Sequence, residues 1–287
     1  MKTGLVLEGG AMRGIYTAGV LDVFMEHGLH FDGVIGVSAG ALHGCSFVSG
    51  QKGRSIRYYR KYRNNRHFMS LWNLISTGEV VGKDFCYHEI PERLDPFDYE
   101  AFLKSDTAFY VCCTNVETGK AEYIRITDML NQIDVMRASA SMPYVSKIVR
   151  YDGKKLLDGG CADSIPVRQF QKMGYQRNVV VLTREEGFVK SPEHPRMAEL
   201  YYRKYPKFVE DLKNRHEVYN RTLWEIRQME KRGEAFVIRP GKKLDIGRME
   251  RDLDKIQEVY ELGRQDAEKR IGELTEWLAR AKQEEIS

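Results

Sequence analysis

A serine stands between two glycines where an apolar run gives way to small residues: Gly36-Val37-Ser38-Ala39-Gly40, within GVIGVSAGAL (33–42). This G-x-S-x-G spacing suits a sharp turn from strand to helix, which lifts a hydroxyl above the edge of a sheet. Glycines remove side chains that would collide where such a turn is tight. The helix that follows would aim its free amides and partial positive charge at the same point. The chemistry this fits is nucleophilic attack on a carbonyl. Upstream, LEGGAMRGIYTAG (7–19) places a glycine-rich turn between an apolar run and a helix-like run. Its N–H groups can form an anion-binding nest, which becomes an oxyanion hole if it faces Ser38. A dinucleotide fingerprint is the competing reading. Ala11 at the middle glycine position counts against it, as does a second strand ending in Gly-Val-Ser, where a ribose-binding acid is required.

A serine nucleophile needs a base. Of the seven histidines, only His194 and His216 fit the chain order Ser…Asp…His of an α/β-hydrolase, and neither lies in a glycine-rich or loop-end context. Asp158 closes the strand-like run KKLLD and is followed by Gly159 and Gly160. That sets a carboxylate on a sharp turn with room for another backbone; a surface turn aspartate is the plainer alternative. Asp152 is accounted for by a hairpin at Asp152-Gly153, and Asp32 by entry into a strand.

These residues must be positioned by an alternating scaffold. Strand-like runs at 4–7, 31–37, 108–116, 122–126 and 178–184 alternate with helix-like runs at 13–28 and 38–50. The order predicts an α/β domain with a mostly parallel sheet. Residues 147–160 read as a β-hairpin, 196–232 as helical, and 235–240 as one more short strand. Over 248–283, Leu253, Ile256, Tyr260, Ala267, Ile271, Leu274 and Leu278 step by threes and fours, as in a long amphipathic helix.

GGAMRG (9–14), GVSAG (36–40) and DGG (158–160), in that order, resemble the patatin-like phospholipase family. CTNVETG (113–119) and ASASMPYV (138–145) add to the likeness, which covers roughly residues 4–184. The resemblance implies a three-layer α/β/α sandwich with a helical C-terminal extension. Its expected division is a hydrolase domain over 1–190 and an extension over 191–287 packed on the core. It also implies a Ser-Asp dyad without histidine: Ser38 as nucleophile, Asp158 as base, and the amides of Gly9, Gly10, Ala11 and Met12 as oxyanion hole. Arg13 would brace the loop or meet a lipid phosphate. The implied activity is hydrolysis of phospholipid or other acyl-ester lipids through an acyl-enzyme, with no cofactor and no metal. The family pattern has a third glycine where this chain has Ala11, which leaves a catalytically weak regulatory or scaffold protein of the same fold as an alternative beside the α/β-hydrolase triad.

Composition narrows the partners. A net charge of +4 in 287 residues does not point to nucleic acid. Five scattered cysteines without CxxC spacing point to reduced thiols and a cytoplasmic setting. No run approaches the roughly 20 apolar residues of a membrane span. Residues 51–78 contain no acid and interleave Arg54, Arg57, Arg60 and Arg63 with Tyr58, Tyr59, Tyr62, Phe68 and Trp72. That mixture suits peripheral contact with an anionic inner-membrane surface, or equally a solvated helix with an aromatic core stripe. The long C-terminal helix offers a surface for an oligomer.

Overall fold

The computed structural model describes residues 2–283. One sheet of eight strands runs through it, in the order β5-β6-β3-β2-β1-β7-β8, with β4 beside β3. β1 (Lys2–Leu7) is followed by α1 (Gly14–Glu26), β2 (Gly33–Val37), α2 (Ala39–Val48), α3 (Arg54–Tyr62) and α4 (Leu71–Thr77). A π-helical stretch, Phe85–Leu94, leads to α5 (Tyr99–Lys104), β3 (Ala108–Asn115), β4 (Lys120–Ile126) and α6 (Ile133–Ser139). The hairpin of β5 (Val149–Tyr151) and β6 (Lys154–Asp158) turns at Asp152 and Gly153, both at positive φ, as its Asp-Gly pair predicts. Then come α7 (Val167–Lys172), β7 (Tyr175–Val181), α8 (Pro195–Tyr201), α9 (Pro206–Lys231), β8 (Ala235–Ile238) and α10 (Leu253–Gln283).

β8, β7, β1, β2 and β3 pair in parallel, whereas β4, β5 and β6 run antiparallel to their neighbours. Strand residues alternate between faces. Leu5 and Leu7 enter the core shared with α1, α2, α3 and α10, and Val6 enters the opposite core with α7 and α9. The result is the expected α/β/α sandwich. The helical run expected over 196–232 is two helices, because Pro206 opens α9 at a position where its missing N–H is not needed.

The long C-terminal helix covers α1. Ile256, Ala267 and Leu274 are fully buried, and the Tyr260 hydroxyl donates to the Asp22 carboxylate at 2.6 Å. Gly19 and Gly263 let the two backbones meet: a Cβ on Gly263 would collide with the Tyr16 carbonyl, and one on Gly19 with that of Tyr260.

The basic-aromatic stretch is not a free cationic face. Tyr58, Tyr59, Tyr62 and Phe68 are buried. Arg57 forms a two-point bond to Asp95 at 2.7 and 2.9 Å, and Arg54 is buried against the same residue. Arg63 is enclosed, donating to the carbonyls of Met69 and Met249. Arg60 bonds Gln257 on α10. An unpaired cation inside a protein is costly, so the two buried arginines, Arg54 and Arg63, are there with their acceptors, whereas Arg57 and Arg60 remain exposed. Trp72, on α4, is the exposed aromatic of the stretch. Among the described residues no helix is long and apolar enough to cross a membrane.

Candidate active site

The register of β3 brings Ser38 and Asp158 together. β4 occupies one edge of β3 along Phe109–Asn115. β2 and β6 therefore share the other edge, end to end. Val37, the last residue of β2, pairs with Cys112, and Asp158, the last of β6, pairs with Cys113. The nucleophile candidate follows immediately after a strand end whose neighbour on the same edge is the base candidate.

The turn at Ser38 has the sharp geometry that its motif predicts, with φ 53° and ψ −123°. Its carbonyl accepts the first turns of α2 from Ala41 and Leu42. A methyl group at position 36 would sit 2.5 Å from the Ala41 Cα, and one at 40 would sit 2.5 Å from the Leu7 carbonyl. The two glycines of the motif are thus demanded by close backbone approach. Among the described residues four non-glycines have positive φ, and three of them, Ala11, Ser38 and Tyr144, line one cavity. Strain of this kind gathers where a site requires it.

Asp158 is buried, and its carboxylate accepts the Gly160 N–H at 2.8 Å. Burial raises its pKa; Arg215, the Ser38 hydroxyl and the Gly160 amide oppose that rise. A raised carboxylate pKa makes a better base for a hydroxyl than an ordinary aspartate.

The glycine turn stands over the same point. A Cβ on Gly9 would be 3.2 Å from the Ser38 Cβ. The Gly9 N–H reaches the Ser164 carbonyl at 3.5 Å, while among the described residues the Gly10 N–H has no hydrogen-bond partner. Ala11 is held at φ 47°, in the region a third glycine would occupy without strain. Gly9, Gly10 and Ala11 line the cavity at Ser38; the Met12 side chain is buried in the core as an anchor. Arg13 also lines that cavity, and its buried Nε makes no hydrogen bond.

Four residues that the sequence reading did not single out hold the arrangement. Ser139 accepts the Ser38 N–H at 2.8 Å and donates to the Cys112 carbonyl at 2.6 Å, bracing the turn against β3. Nearby, the Ser141 carbonyl accepts the Asp158 N–H at 2.9 Å, so the ASASMPYV segment is tied to both Ser38 and Asp158. Glu8, fully buried, accepts from the Thr183 N–H at 2.5 Å and the Tyr219 hydroxyl at 2.6 Å, fixing the start of the glycine turn. Arg215, on α9, donates to the Gly160 carbonyl at 2.5 Å beside Asp158. No spacing rule marks Arg215 among the many cations of its helix.

Ser139→Ala would leave a buried donor and acceptor unpaired, at a cost of about 1–3 kcal/mol in stability. Looser positioning of Ser38 should also lower kcat about tenfold with KM little changed, roughly 1.4 kcal/mol of barrier. Denaturant unfolding and steady-state kinetics check the two effects. An unchanged kcat would reduce Ser139 to a purely structural residue.

Two cavities meet at Ser38, sharing Ala11, Ser38 and Met142. One is apolar, walled by Leu42, Tyr59, Phe68, Ile90, Met129 and Met136. The other contains Asp158 and the glycine turn. No histidine lines either. His194 is exposed, and His216 bonds the Lys213 carbonyl within its own helix. His43 is buried with its Nδ1 on Ser55, and burial drives its pKa down to about 3.

Residues 5–170 match the patatin-like phospholipase family model. The chain belongs to that family. Family membership supports a lipid hydrolase. A second match, to a domain of unknown function (DUF6363), covers 205–279. An uncharacterized Escherichia coli K12 protein, YjjU, is 29% identical over 92% of this chain and 75% of its own length. The lysophospholipase NTE1 of Eremothecium gossypii is 27% identical over 70% of this chain, and that of Meyerozyma guilliermondii 29% over 62%. The chain spans only 14% and 12% of those two proteins. The Legionella pneumophila protein VipD aligns with 93% of the chain and 66% of its own at 12% identity and a TM-score of 0.46, too low to carry weight.

Proposed function

We propose that this chain is a serine acyl hydrolase that cleaves carboxylic esters of lipids through a Ser38–Asp158 dyad. The observation that carries the reading is the shared edge of β3, which brings Ser38, a lining residue of the apolar cavity, beside a buried carboxylate. The acyl chain occupies that cavity. Asp158 takes the Ser38 proton as Oγ attacks the acyl carbon, and the oxyanion is met by the amides of Gly9, Gly10, Ala11 and Met12. The carbon–oxygen bond to the alcohol then breaks, and the alcohol leaves with the proton from Asp158. A water gives its proton to Asp158 and its hydroxide to the acyl-serine. The fatty acid departs and Oγ regains the proton. No step calls for a cofactor. Preorganised amides carry a large share of such a rate.

The alternative triad is disfavoured by the positions of His194 and His216 away from both cavities. The scaffold alternative is disfavoured because Ala11 holds the positive φ the loop requires. A fluorophosphonate probe separates all three. Adduct formation on Ser38 that survives replacement of His194 and His216 is expected; loss in either histidine variant favours the triad, and no adduct in folded protein favours a scaffold.

Peripheral contact with an anionic membrane is part of the same proposal, through the C-terminal part of the basic-aromatic stretch rather than through its buried arginines. Leu71, Trp72 and Ile75 of α4 are 65%, 47% and 87% exposed, with Arg66 stacked on Trp72 at 4.9 Å. The Met69–Val81 bridge closes the base of this excursion, and both residues wall the apolar cavity. Apolar and cationic side chains so arranged suit a lipid interface.

A further inference from the structure

The two cavities at Ser38 differ in charge. The apolar one has a single charged lining residue, Arg54, which is already held by Asp95. The other is lined by Arg13, Arg184, Lys190, Arg215 and Arg248, against the carboxylates of Asp158 and Glu193. Five cations face two anions, an excess of three (5 − 2) in one recess. Glu193 lies 3.9 Å from Lys190 and 3.7 Å from Arg215, so it meets two of the five only loosely. The Arg13 Nε is buried without a hydrogen-bond partner. Arg248 is exposed at the rim.

The crowding is felt by the groups themselves. Burial, then Arg215, pushes Lys190 down to about 8, with Arg248 and Arg13 adding to the effect and Glu193 opposing it. Arg13 is likewise lowered, first by burial and then by Arg184 and Arg248, while Glu8 opposes. Cations gathered at this density without matching carboxylates are stabilised when an anion enters. Guanidinium groups in particular match phosphate oxygens two at a time.

Position tells which part of a substrate would meet them. With the acyl chain in the apolar cavity and its carbonyl at Ser38, the basic recess, which Ser38 also lines, is the space open to the alcohol half. We propose that this recess is a phosphate subsite for the alcohol half of the ester, so that the enzyme selects acyl esters whose leaving group carries a net negative phosphate. The inference rests on the hydrolase reading and adds the substrate's polar half to it. Four of the five cations, Arg184, Lys190, Arg215 and Arg248, come from the chain beyond residue 181, where β7 ends. The C-terminal third thereby acquires a role in selectivity.

The test uses three esters of one acyl chain below their micellar concentrations: 1-acylglycerol 3-phosphate, 1-acylglycerol and 1-acylglycerophosphocholine. Wild type should turn over the phosphate monoester with the highest kcat/KM, and added salt should erode that preference. Lys190→Met and Arg248→Met should each cut the preference for the phosphate ester over the neutral one about tenfold, as expected for one charge-assisted contact. Equal kcat/KM on all three esters, a preference for the choline ester, or variants that slow all three alike would overturn the proposal.

Calorimetry on Ser38→Ala protein reads the same recess without turnover. The acyl phosphate ester and glycerol 3-phosphate should bind, and Arg248→Met should weaken both about tenfold. Tight binding of inorganic phosphate with no preference for the acyl phosphate ester would mark the recess as a site for free phosphate and overturn the headgroup assignment. Absence of phosphate-ester binding would do the same. Failure of the hydrolase reading shows separately, as no turnover of any ester and no adduct on Ser38, while the binding arm still decides the recess.

Discussion

Ser38→Ala is expected to lower kcat/KM on a lipid ester by about 10⁴-fold or more while leaving the fold intact. Losses of this size follow removal of a serine nucleophile, the residue being background from binding and the oxyanion hole. The fold should tolerate the change because the structural bonds at this position belong to the main chain. The Ser38 N–H goes to Ser139, and its carbonyl receives Ala41 and Leu42. Alanine keeps these bonds and the strained turn with them. Circular dichroism and thermal unfolding should superimpose on wild type. Turnover surviving at more than a few per cent would remove Ser38 from the chemistry.

Asp158→Asn should separate activity from stability in opposite directions. Asparagine cannot take the serine proton, and loss of a positioned general base costs about 10²–10⁴ in rate. The stability effect follows from the sign of the shift. Burial raises the Asp158 pKa in the folded protein above its ordinary value near 3.9. Between the unfolded and folded values the native state holds more protons, so stability falls as pH rises through that window. Above it, the wild type carries the full cost of a buried carboxylate. Asparagine has no charge to bury, so the variant's Tm at neutral pH should equal or exceed that of wild type. The excess should shrink on acidification. The wild-type kcat/KM should also rise with pH along an acid limb lying above the usual aspartate range, and the residual activity of the variant should lack that limb. A variant that is both destabilised and fully active would contradict the assignment of Asp158 on both counts.

The tight turns of the candidate site and the hairpin were readable in the sequence because backbone geometry demands particular residues there. Gly36 and Gly40 are required by atoms 2.5 Å from where a side chain would begin, and Asp152-Gly153 by positive φ. Strands and the long C-terminal helix were readable from periodicity. Arg215 and Glu8 were not, because their meaning lies in contacts across more than 50 and 170 residues, Gly160 and Thr183 being their partners. The basic-aromatic stretch left two readings open, and the structure divides it: the acceptors of Arg54, Arg57 and Arg63, Asp95 and the carbonyls of Met69 and Met249, are not revealed by local composition. Ser139 lay inside a segment that attracted notice, yet a hydroxyl bridging two main chains has no signature in spacing.

The common edge of β3 also governs what this scaffold can change. The separation of hydroxyl and carboxylate is set by neighbouring positions on a single strand, about 3.3 Å of rise apart. Between α2 and β3 the chain leaves the sheet through α3, α4, the π-helical stretch and α5 and returns to it as β3 itself. That excursion can lengthen, shrink or be exchanged without altering the β3 register that sets Ser38 beside Asp158, so the walls of the apolar cavity are free to diversify around a fixed pair of residues.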